Sequence, residues 1–196
     1  NDDTRSGDQP QGKQCPDLHS RRCHYTRTTG IWQTVWLEAV STSHIDHVRV
    51  VPDIDSSRFV LTPSFKHAKR GHTFKATLLD GSEEVAVSSA PATDGAAMSL
   101  RVKEPHLWSL EDPHLYDLRL ELLDGDTVID TVNSYAGLRK FHIEGHKFYL
   151  NNQPIFLRLV LDQGFYPDGV WTAPNDDALK ADIEKSMAVG FNGARL

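Results

Sequence analysis

The stretch YDLRLELLDGDTVIDTV, residues 116–132, decides the fold class of this chain. Along its first half, apolar residues alternate with polar or charged ones: Tyr116, Leu118, Leu120 and Leu122. A period of two residues places such side chains on one face of a β-strand. The pair Asp124-Gly125 is a strong turn signal, and the alternation resumes over 128–132. The stretch therefore predicts a β-hairpin with one buried face.

Similar short runs follow one another from about residue 43 to residue 141. A second hairpin is predicted around the turn pair Asp80-Gly81. The apolar positions of this hairpin and of one further strand are Phe74, Ala76, Leu78, Val85, Val87, Met98, Leu100 and Val102. About seven short strands in about a hundred residues, none with a helical period, are typical of an immunoglobulin-like β-sandwich.

The pattern changes after Gly145. In HKFYLNNQPIFLRLVLD, residues 146–162, the Asn-Asn pair at 151–152 predicts a turn. The nearly continuous apolar run over 155–161 predicts a strand that is covered on both faces, as in a parallel sheet.

A helix is predicted next, with Asn175 as its N-cap and Gly190 as its C-terminal stop. Asp176 and Asp177 follow the cap, where the helix dipole favours negative charge. Three apolar residues line one face of the helix: Leu179, Ile183 and Met187. Residues 191–196 begin another strand. Two strands and one helix cannot bury both faces of a parallel sheet, so this β-α-β unit is expected to be the truncated start of a larger domain.

The first part of the chain is less regular. Residues 1–20 are rich in Asp, Ser, Gln, Gly and Pro, which predicts a loop. Alternation in TRTTGIWQTVWLEAV, residues 26–40, predicts one strand with Trp32 and Trp36 on the same face. Two interpretations of that face stay open: a platform for stacking a sugar, or packing against a neighbouring domain.

Composition limits the partners. The net charge is −6 with basic and acidic residues interleaved, which argues against a nucleic-acid partner. No apolar run approaches the roughly 20 residues of a membrane-spanning helix, so no membrane partner is expected. No signal-peptide core precedes residue 30, but Asn1 in place of Met and the strand-like last residues indicate cut ends. The cellular compartment therefore stays undetermined.

Two cysteines, Cys15 and Cys23, lie close together with His19 and His24. Their spacing lacks the paired ligand ladders of structural zinc sites, which disfavours a metal. A local disulfide and two free thiols are the remaining interpretations.

Three motifs follow one another along the chain: YTRTTGIWQTVWLE at 25–38, LWSLEDPHLYDL at 107–118 and YAGLRKFHIEGHKFYLNNQPIFLR at 135–158. Together with DDTRSGDQPQGKQ at 2–14, they resemble glycoside hydrolase family 2, the group of β-galactosidases, β-glucuronidases and β-mannosidases. The resemblance implies three parts: the end of a sugar-binding jelly-roll domain (1–41), an immunoglobulin-like β-sandwich (42–142) and the first β-α-β of a (β/α)₈ TIM barrel (143–196).

The resemblance also implies a reaction. The family cleaves β-glycosidic bonds with retention, using two glutamates about 5 Å apart at the ends of barrel strands four and seven. The first glutamate lies in an Asn-Glu pair, and no such pair occurs here. The catalytic residues are therefore expected to be absent, and this piece alone to be inactive. The competing hypothesis is a carbohydrate-binding or adhesive β-sandwich module without hydrolase activity.

The expected partner of the complete enzyme is a β-linked carbohydrate, with galactose and glucuronic acid as the leading sugars. Some members of the family use magnesium or sodium, but no ligand set for either ion is visible, and no cofactor is predicted. A homo-oligomer of the parent protein stays open. At position 159, Leu follows Arg158 where the family commonly has Gly, and DQGFYPDG at 162–169 replaces the loop of the best-described β-galactosidases. Both departures weaken any transfer of sugar specificity.

Four residues are expected to bind substrate because a complete barrel would carry them at the carboxyl ends of its strands: Asp162, Gln163, Tyr166 and Arg195. The carboxylate and the amide would hydrogen-bond sugar hydroxyls and orient the sugar. Phe165, Tyr166 and Trp171 either stack on a sugar or pack internally. For Arg158, a buried ion pair and a role in the site are both open.

Other clusters have simpler interpretations. Glu83 and Glu84 point to opposite faces of a strand and are expected to be solvated. Asp53 and Asp55 are expected to cap a loop. The pair of His44 and His47 is expected at the surface.

Overall fold

The computed structural model describes residues 3–8, 15–31 and 33–195, and its regular structure is mainly β. The strands are β1 His44–Asp53, β2 Arg58–Lys66, β3 His72–Asp80, β4 Glu83–Pro91, β5 Met98–Arg101, β6 Tyr116–Asp124, β7 Thr127–Ala136, β8 Phe141–Glu144, β9 Lys147–Leu150, β10 Gln153–Ile155, β11 Leu159–Leu161 and β12 Gly193–Arg195. A 3₁₀ turn, Ile54–Ser56, follows β1, and the helix α1 is Asp176–Ala188. None of the described helices has the length and apolar character needed to cross a membrane.

The chain divides into two compact units. One consists of 38–160 and 189–194, and the other consists of 1–37, 161–188 and 195–196. The first unit holds two antiparallel sheets, with strand orders β1-β2-β5 and β4-β3-β6-β7. The hairpin predicted from 116–132 is confirmed as β6 and β7, and the hairpin predicted around Asp80-Gly81 is confirmed as β3 and β4.

The core lies between these two sheets. Both contribute every second side chain to one cluster of buried residues: Ile45, Phe59, Leu61, Phe65, Phe74, Ala76, Leu78, Met98, Leu100, Val102, Tyr116, Leu118, Leu120, Leu122, Ala136 and Leu138. Aromatic rings join the sheets edge to face, with centroids 6.0 Å apart for Phe59 and Tyr116 and 5.5 Å apart for Phe65 and Phe74. The apolar alternation in the sequence therefore describes the inner faces of a β-sandwich.

Tyr116 anchors the long segment between β5 and β6. Its side chain is 1% exposed, and its hydroxyl accepts a hydrogen bond of 2.7 Å from the backbone N–H of His106. Burial raises the pKa of the Tyr116 hydroxyl, so it stays protonated at neutral pH. Further along, the Trp108 N–H donates to the Leu138 carbonyl at 3.1 Å. These bonds attach a segment without strands to the edge of the core.

We expect Tyr116→Phe to lower the free energy of unfolding by about 1 kcal/mol, because the ring stays in place while one hydrogen bond is lost. Urea unfolding followed by circular dichroism measures this change. The matched control is Tyr135→Phe, since Tyr135 is 68% exposed and a surface substitution changes stability by less than about 0.5 kcal/mol. Equal effects of the two substitutions would show that the hydrogen bond from the His106 N–H to the Tyr116 hydroxyl does not stabilise the fold.

The sheet β10-β9-β8 follows the sandwich as a meander. Asn151 and Asn152 have φ of 49° and 65°, which confirms the predicted turn between β9 and β10. Both side chains reach back to the sandwich: the Asn151 Nδ2 donates to the Trp108 carbonyl at 2.8 Å, and the Asn152 Nδ2 donates to Asp55 at 2.9 Å. The turn is thereby attached to the body of the unit.

Asp53 has the capping role that was predicted for it, whereas Asp55 instead bonds to side chains distant in sequence. Asp53 caps the 3₁₀ turn, where it accepts from the Ser56 N–H, and it pairs with Arg58 at 2.9 Å. Asp55 pairs with Lys140 at 2.5 Å. Hydrogen bonds from Lys140 and Asn152 hold the pKa of Asp55 below its ordinary value, and the bond from Arg58 does the same to the pKa of Asp53.

The strand predicted over 26–40 is wrong for the described residues, 26–31 and 33–40, which form no strand. Val35 is 73% exposed and Leu37 is 103% exposed, so the alternating side chains have no surface to cover. A strand also needs a neighbouring strand for its backbone hydrogen bonds, and no described strand of this chain pairs with this segment.

The continuous strand predicted over 155–161 is also wrong. It is interrupted between β10 and β11, and the side chain of Asn192 supplies the reason. Its Nδ2 donates to the Phe156 carbonyl at 2.9 Å, and its Oδ1 accepts from the Arg158 N–H at 2.7 Å. A side-chain amide thus occupies the two backbone groups that a neighbouring strand would otherwise bind.

Helix α1 begins as predicted, with the Asn175 side chain accepting a 2.9 Å hydrogen bond from the Ala178 N–H. Gly190 follows it with a φ of 95°, the left-handed conformation of a helix stop. The apolar residues on its predicted face are exposed: Leu179, Ile183 and Met187.

Candidate functional site

The candidate site is built on β11 and β12, which form a two-stranded sheet. The Asn192 N–H donates to the Arg158 carbonyl at 2.9 Å, and the Asp162 N–H donates to the Arg195 carbonyl at 3.0 Å. The residue numbers rise together in these two bonds, so the strands run parallel, as predicted. Two strands do not make a closed barrel, but their carboxyl ends lie at one edge, the edge where parallel sheets bind ligands.

Asp162 and Arg195 meet at this edge. Asp162 directly follows β11, Arg195 ends β12, and their backbones are joined by the hydrogen bond just described. The Asp162 Oδ1 accepts from the Gly164 N–H at 2.9 Å, which fixes the orientation of the carboxylate. Arg195 is exposed. An oriented carboxylate and an exposed arginine on neighbouring strand ends can each bind hydroxyl groups of a polar ligand.

Gln163 lies under an aromatic cluster of Tyr25, Phe165 and Trp171. The Tyr25 hydroxyl donates to the Gln163 side-chain oxygen. The Tyr25 ring is stacked on Phe165 at 4.5 Å and meets Trp171 edge to face at 5.0 Å. Gln163 is thus bonded to the Tyr25 side chain of this cluster. The Trp171 Nε1 is buried with no hydrogen-bond partner among the described residues.

Tyr166 is bonded to helix α1. Its hydroxyl donates to Asp182 Oδ2 at 3.0 Å, and its backbone exchanges two hydrogen bonds with Val170. Burial, with a smaller contribution from the hydrogen bond to Asp182, raises the pKa of Tyr166. The hydroxyl stays protonated and holds the loop against the helix.

We expect Gly169→Ala to disrupt this loop, because a Cβ at position 169 would overlap the Thr172 carbonyl oxygen. Overpacking of this kind costs about 1–3 kcal/mol. Hydrogen exchange should then show faster exchange of the Tyr166 and Val170 amides, which bond to each other. The control is Gly7→Ala, where a Cβ would meet open space. Unchanged protection in the Gly169 variant would contradict this account of the loop.

The buried ion pair that was one of two expected roles for Arg158 is wrong, and its role in the site stays a prediction. Its side chain is exposed, and its Nε donates to the Gly190 carbonyl at 2.7 Å. It therefore helps to fix the segment before β12.

Most other candidates lie away from this edge. Glu83 and Glu84 are exposed, as predicted. The Nδ1 of His44 lies 2.8 Å from the Ser41 carbonyl, and His47 lies beside Asp46 at 3.4 Å, so both histidines are at the surface.

The two interpretations of the face with Trp32 and Trp36, a sugar-stacking platform and packing against a neighbouring domain, both stay untested. Trp32 lies outside the described residues, and Trp36 is exposed in a segment without regular structure. Cys15 and Cys23 are free thiols, which removes the disulfide interpretation. The buried Cys15 thiol donates to the Tyr25 carbonyl at 3.0 Å.

Two residues of this region were missed by the sequence analysis. Tyr25 opens the motif YTRTTGIWQTVWLE, yet it is separated from Gln163 by 138 positions. Asp182 lies in the middle of α1 among ordinary surface residues. Only the pairing of β11 with β12 and the course of the loop bring these residues to Gln163 and Tyr166.

This chain is similar in sequence to several known proteins. The model of the glycosyl hydrolases family 2 matches residues 43–139. A putative β-glucuronidase of Formosa agariphila is 30% identical over 175 residues, covering 85% of this chain and 21% of that protein. A β-galactosidase of Leuconostoc mesenteroides is 33% identical over 130 residues, covering 63% of this chain and 12% of that protein.

A solved structure agrees on the fold. The β-glucuronidase of Ruminococcus gnavus, in complex with C6-substituted uronic isofagomine, superposes with a TM-score of 0.70 at 21% identity, over 80% of this chain and 26% of that one. The chain spans about a fifth of the length of the Formosa relative and less of the Leuconostoc one. The family match, the curated relatives and the shared fold agree, and the chain belongs to the glycosyl hydrolases of family 2.

Proposed function

We propose that these residues are part of a retaining exo-β-glycosidase that hydrolyses O-glycosidic bonds, of the β-galactosidase or β-glucuronidase type. The two catalytic glutamates lie outside residues 1–196, so this stretch alone does not cleave sugars. The observation that carries the proposal is the parallel pair β11–β12, with Asp162 and Arg195 at its carboxyl edge, in a chain whose sandwich matches the family.

We assign a separate role to each of the three parts of the chain. In this proposal, residues 42–142 are an immunoglobulin-like sandwich that serves as a scaffold. Residues 143–196 are the first β-α-β of a TIM barrel, and residues 1–41 are the end of a sugar-binding jelly roll. The meander β10-β9-β8, attached to the sandwich through Asn151 and Asn152, supports this arrangement because it fixes the start of the barrel to the scaffold.

Asp162 is proposed to bind a sugar hydroxyl directly. The hydrogen bond from the Gly164 N–H keeps its carboxylate in one orientation, and a preoriented acceptor loses little entropy on binding. Arg195 is proposed to donate from the neighbouring strand end. Gln163 and Tyr166 act indirectly, since their polar atoms hold Tyr25 and Asp182, and they position the loop that carries the aromatic rings.

The test is to express the complete reading frame and to assay it with chromogenic aryl glycosides. We expect hydrolysis of a β-galactoside or a β-glucuronide and none of the matching α-glycosides. The 196-residue chain, assayed beside it, is expected to hydrolyse none of them. Failure of a folded complete protein on every β-glycoside would reject the proposal and favour a carbohydrate-binding module.

A further inference from the structure

Three side chains that commonly bind metals converge at one end of the sandwich. Asp80 is the last residue of β3, His114 lies just before β6, and His106 lies in the segment between β5 and β6. One potential ligand atom from each lies within 4.8 Å of the others, the one such group among residues 3–8, 15–31 and 33–195. The antiparallel pairing of Leu79 with Asp117 brings the ends of β3 and β6 together.

His114 is the buried member of the group. Its side chain is 15% exposed, and its Nε2 lies 3.5 Å from the Asp80 Oδ2. That nitrogen is buried and makes no hydrogen bond to any described residue. A buried nitrogen that faces a carboxylate without a hydrogen bond to it is a group that a metal ion can bind.

His106 is the exposed member. Its Nε2 lies 2.6 Å from the Asp112 Oδ2. Its ring is stacked on that of His114 at 3.9 Å and 5°.

We propose that Asp80, His106 and His114 bind one divalent transition-metal ion, with zinc as the best match. Imidazole nitrogen and carboxylate oxygen are both zinc ligands, and neither the family match nor the relatives' names assign a metal to this end of the sandwich. Parallel rings aim their lone pairs in parallel planes, so one ring must turn to share an ion. In this proposal His106 turns and gives up its bond to Asp112, because its side chain is 46% exposed, whereas His114 packs against Tyr116.

The bound ion would join the turn after β3 to the segment between β5 and β6. That segment has no strand of its own and carries part of the LWSLEDPHLYDL motif. Its attachments include the bonds of His106 to Tyr116 and of Trp108 to Leu138. The site is thus structural, and it acts on the stability of the sandwich and not on the chemistry proposed above.

The test is a titration of the metal-free 196-residue chain with Zn²⁺ by isothermal calorimetry near neutral pH. We expect one saturable site and a higher Tm at saturation. Asp80→Asn and His106→Gln should each weaken the affinity by more than about tenfold, because each removes one of the three ligands. Circular dichroism of each metal-free variant checks that it is folded. We expect both variants to fold, because the side chains of Asp80 and His106 lie at the surface.

The matched controls are Asp46→Asn and His47→Gln, which alter an exposed Asp-His pair on β1 that lies outside the group. These variants should bind Zn²⁺ within twofold of the unaltered chain. Co²⁺ serves as a second probe, because its visible absorption depends on its ligands and on their number. We expect the stronger absorption of Co²⁺ with few ligands when it binds at this site. Absence of saturable binding, or equal affinities for the Asp80 and Asp46 variants, would overturn the proposal.

Discussion

Leu78→Ala is expected to lower the free energy of unfolding by about 2–5 kcal/mol. Leu78 lies on β3, in the middle of the four-stranded sheet, and its side chain is 0% exposed. The substitution removes buried apolar surface and leaves a cavity, because the flanking strands β4 and β6 hold the backbone in place. Urea unfolding followed by circular dichroism gives the difference in free energy.

The same substitution at an exposed leucine separates the effect of burial from the general effect of replacing Leu by Ala. Leu37→Ala serves this purpose, since Leu37 is fully exposed and lies outside every described strand. We expect its effect to stay below about 0.5 kcal/mol. A loss at Leu78 no larger than the loss at Leu37 would mean that the two sheets do not share the core described here.

Asp162→Ala in the complete enzyme is expected to lower kcat/KM by about 10- to 100-fold. A hydrogen bond to a charged group contributes about 1.5–3 kcal/mol, and the proposed role of Asp162 is to accept such a bond from the sugar. The measurement is a steady-state assay with the aryl β-glycoside that the enzyme prefers. This prediction rests on the proposed function.

The control for Asp162 is Asp168→Ala in the same loop. Asp168 is exposed, and we expect a change in kcat/KM of less than about twofold. Thermal unfolding of both variants checks that the loop is intact, because Asp162 also accepts from the Gly164 N–H. A variant of Asp162 that is folded and active within twofold would remove this residue from the sugar site.

The sandwich could be predicted from the sequence because its signals are local. Alternation along 116–132 and the Asp-Gly turns depend only on neighbouring residues, and they gave two hairpins that the structure confirms. The Asn-Asn turn, the Asn175 cap and the Gly190 stop are local in the same sense.

Elements that depend on distant partners could not be predicted in this way. The segment 26–40 alternates like a strand, but alternation does not supply a neighbouring strand to pair with. The interruption after Ile155 depends on the side chain of Asn192, and no pattern within the apolar run reveals it.

The candidate site shows the same limit. Asp162 and Arg195 were predicted at one edge because strand ends in a parallel sheet are geometrically equivalent, and their backbones do meet. The attachment of Gln163 to Tyr25 and of Tyr166 to Asp182 was not predicted. In the proposed metal site, Asp80 and His114 are distant in sequence and adjacent only through strand pairing.

The most direct test of the central claim is the stereochemistry of hydrolysis. The enzyme from the complete reading frame is mixed with its preferred aryl β-glycoside, and the anomeric protons of the released sugar are followed by NMR. The account predicts that the β-anomer appears first and that the α-anomer follows by slow mutarotation, because a retaining enzyme inverts the anomeric centre twice. An α-anomer formed first would contradict the account.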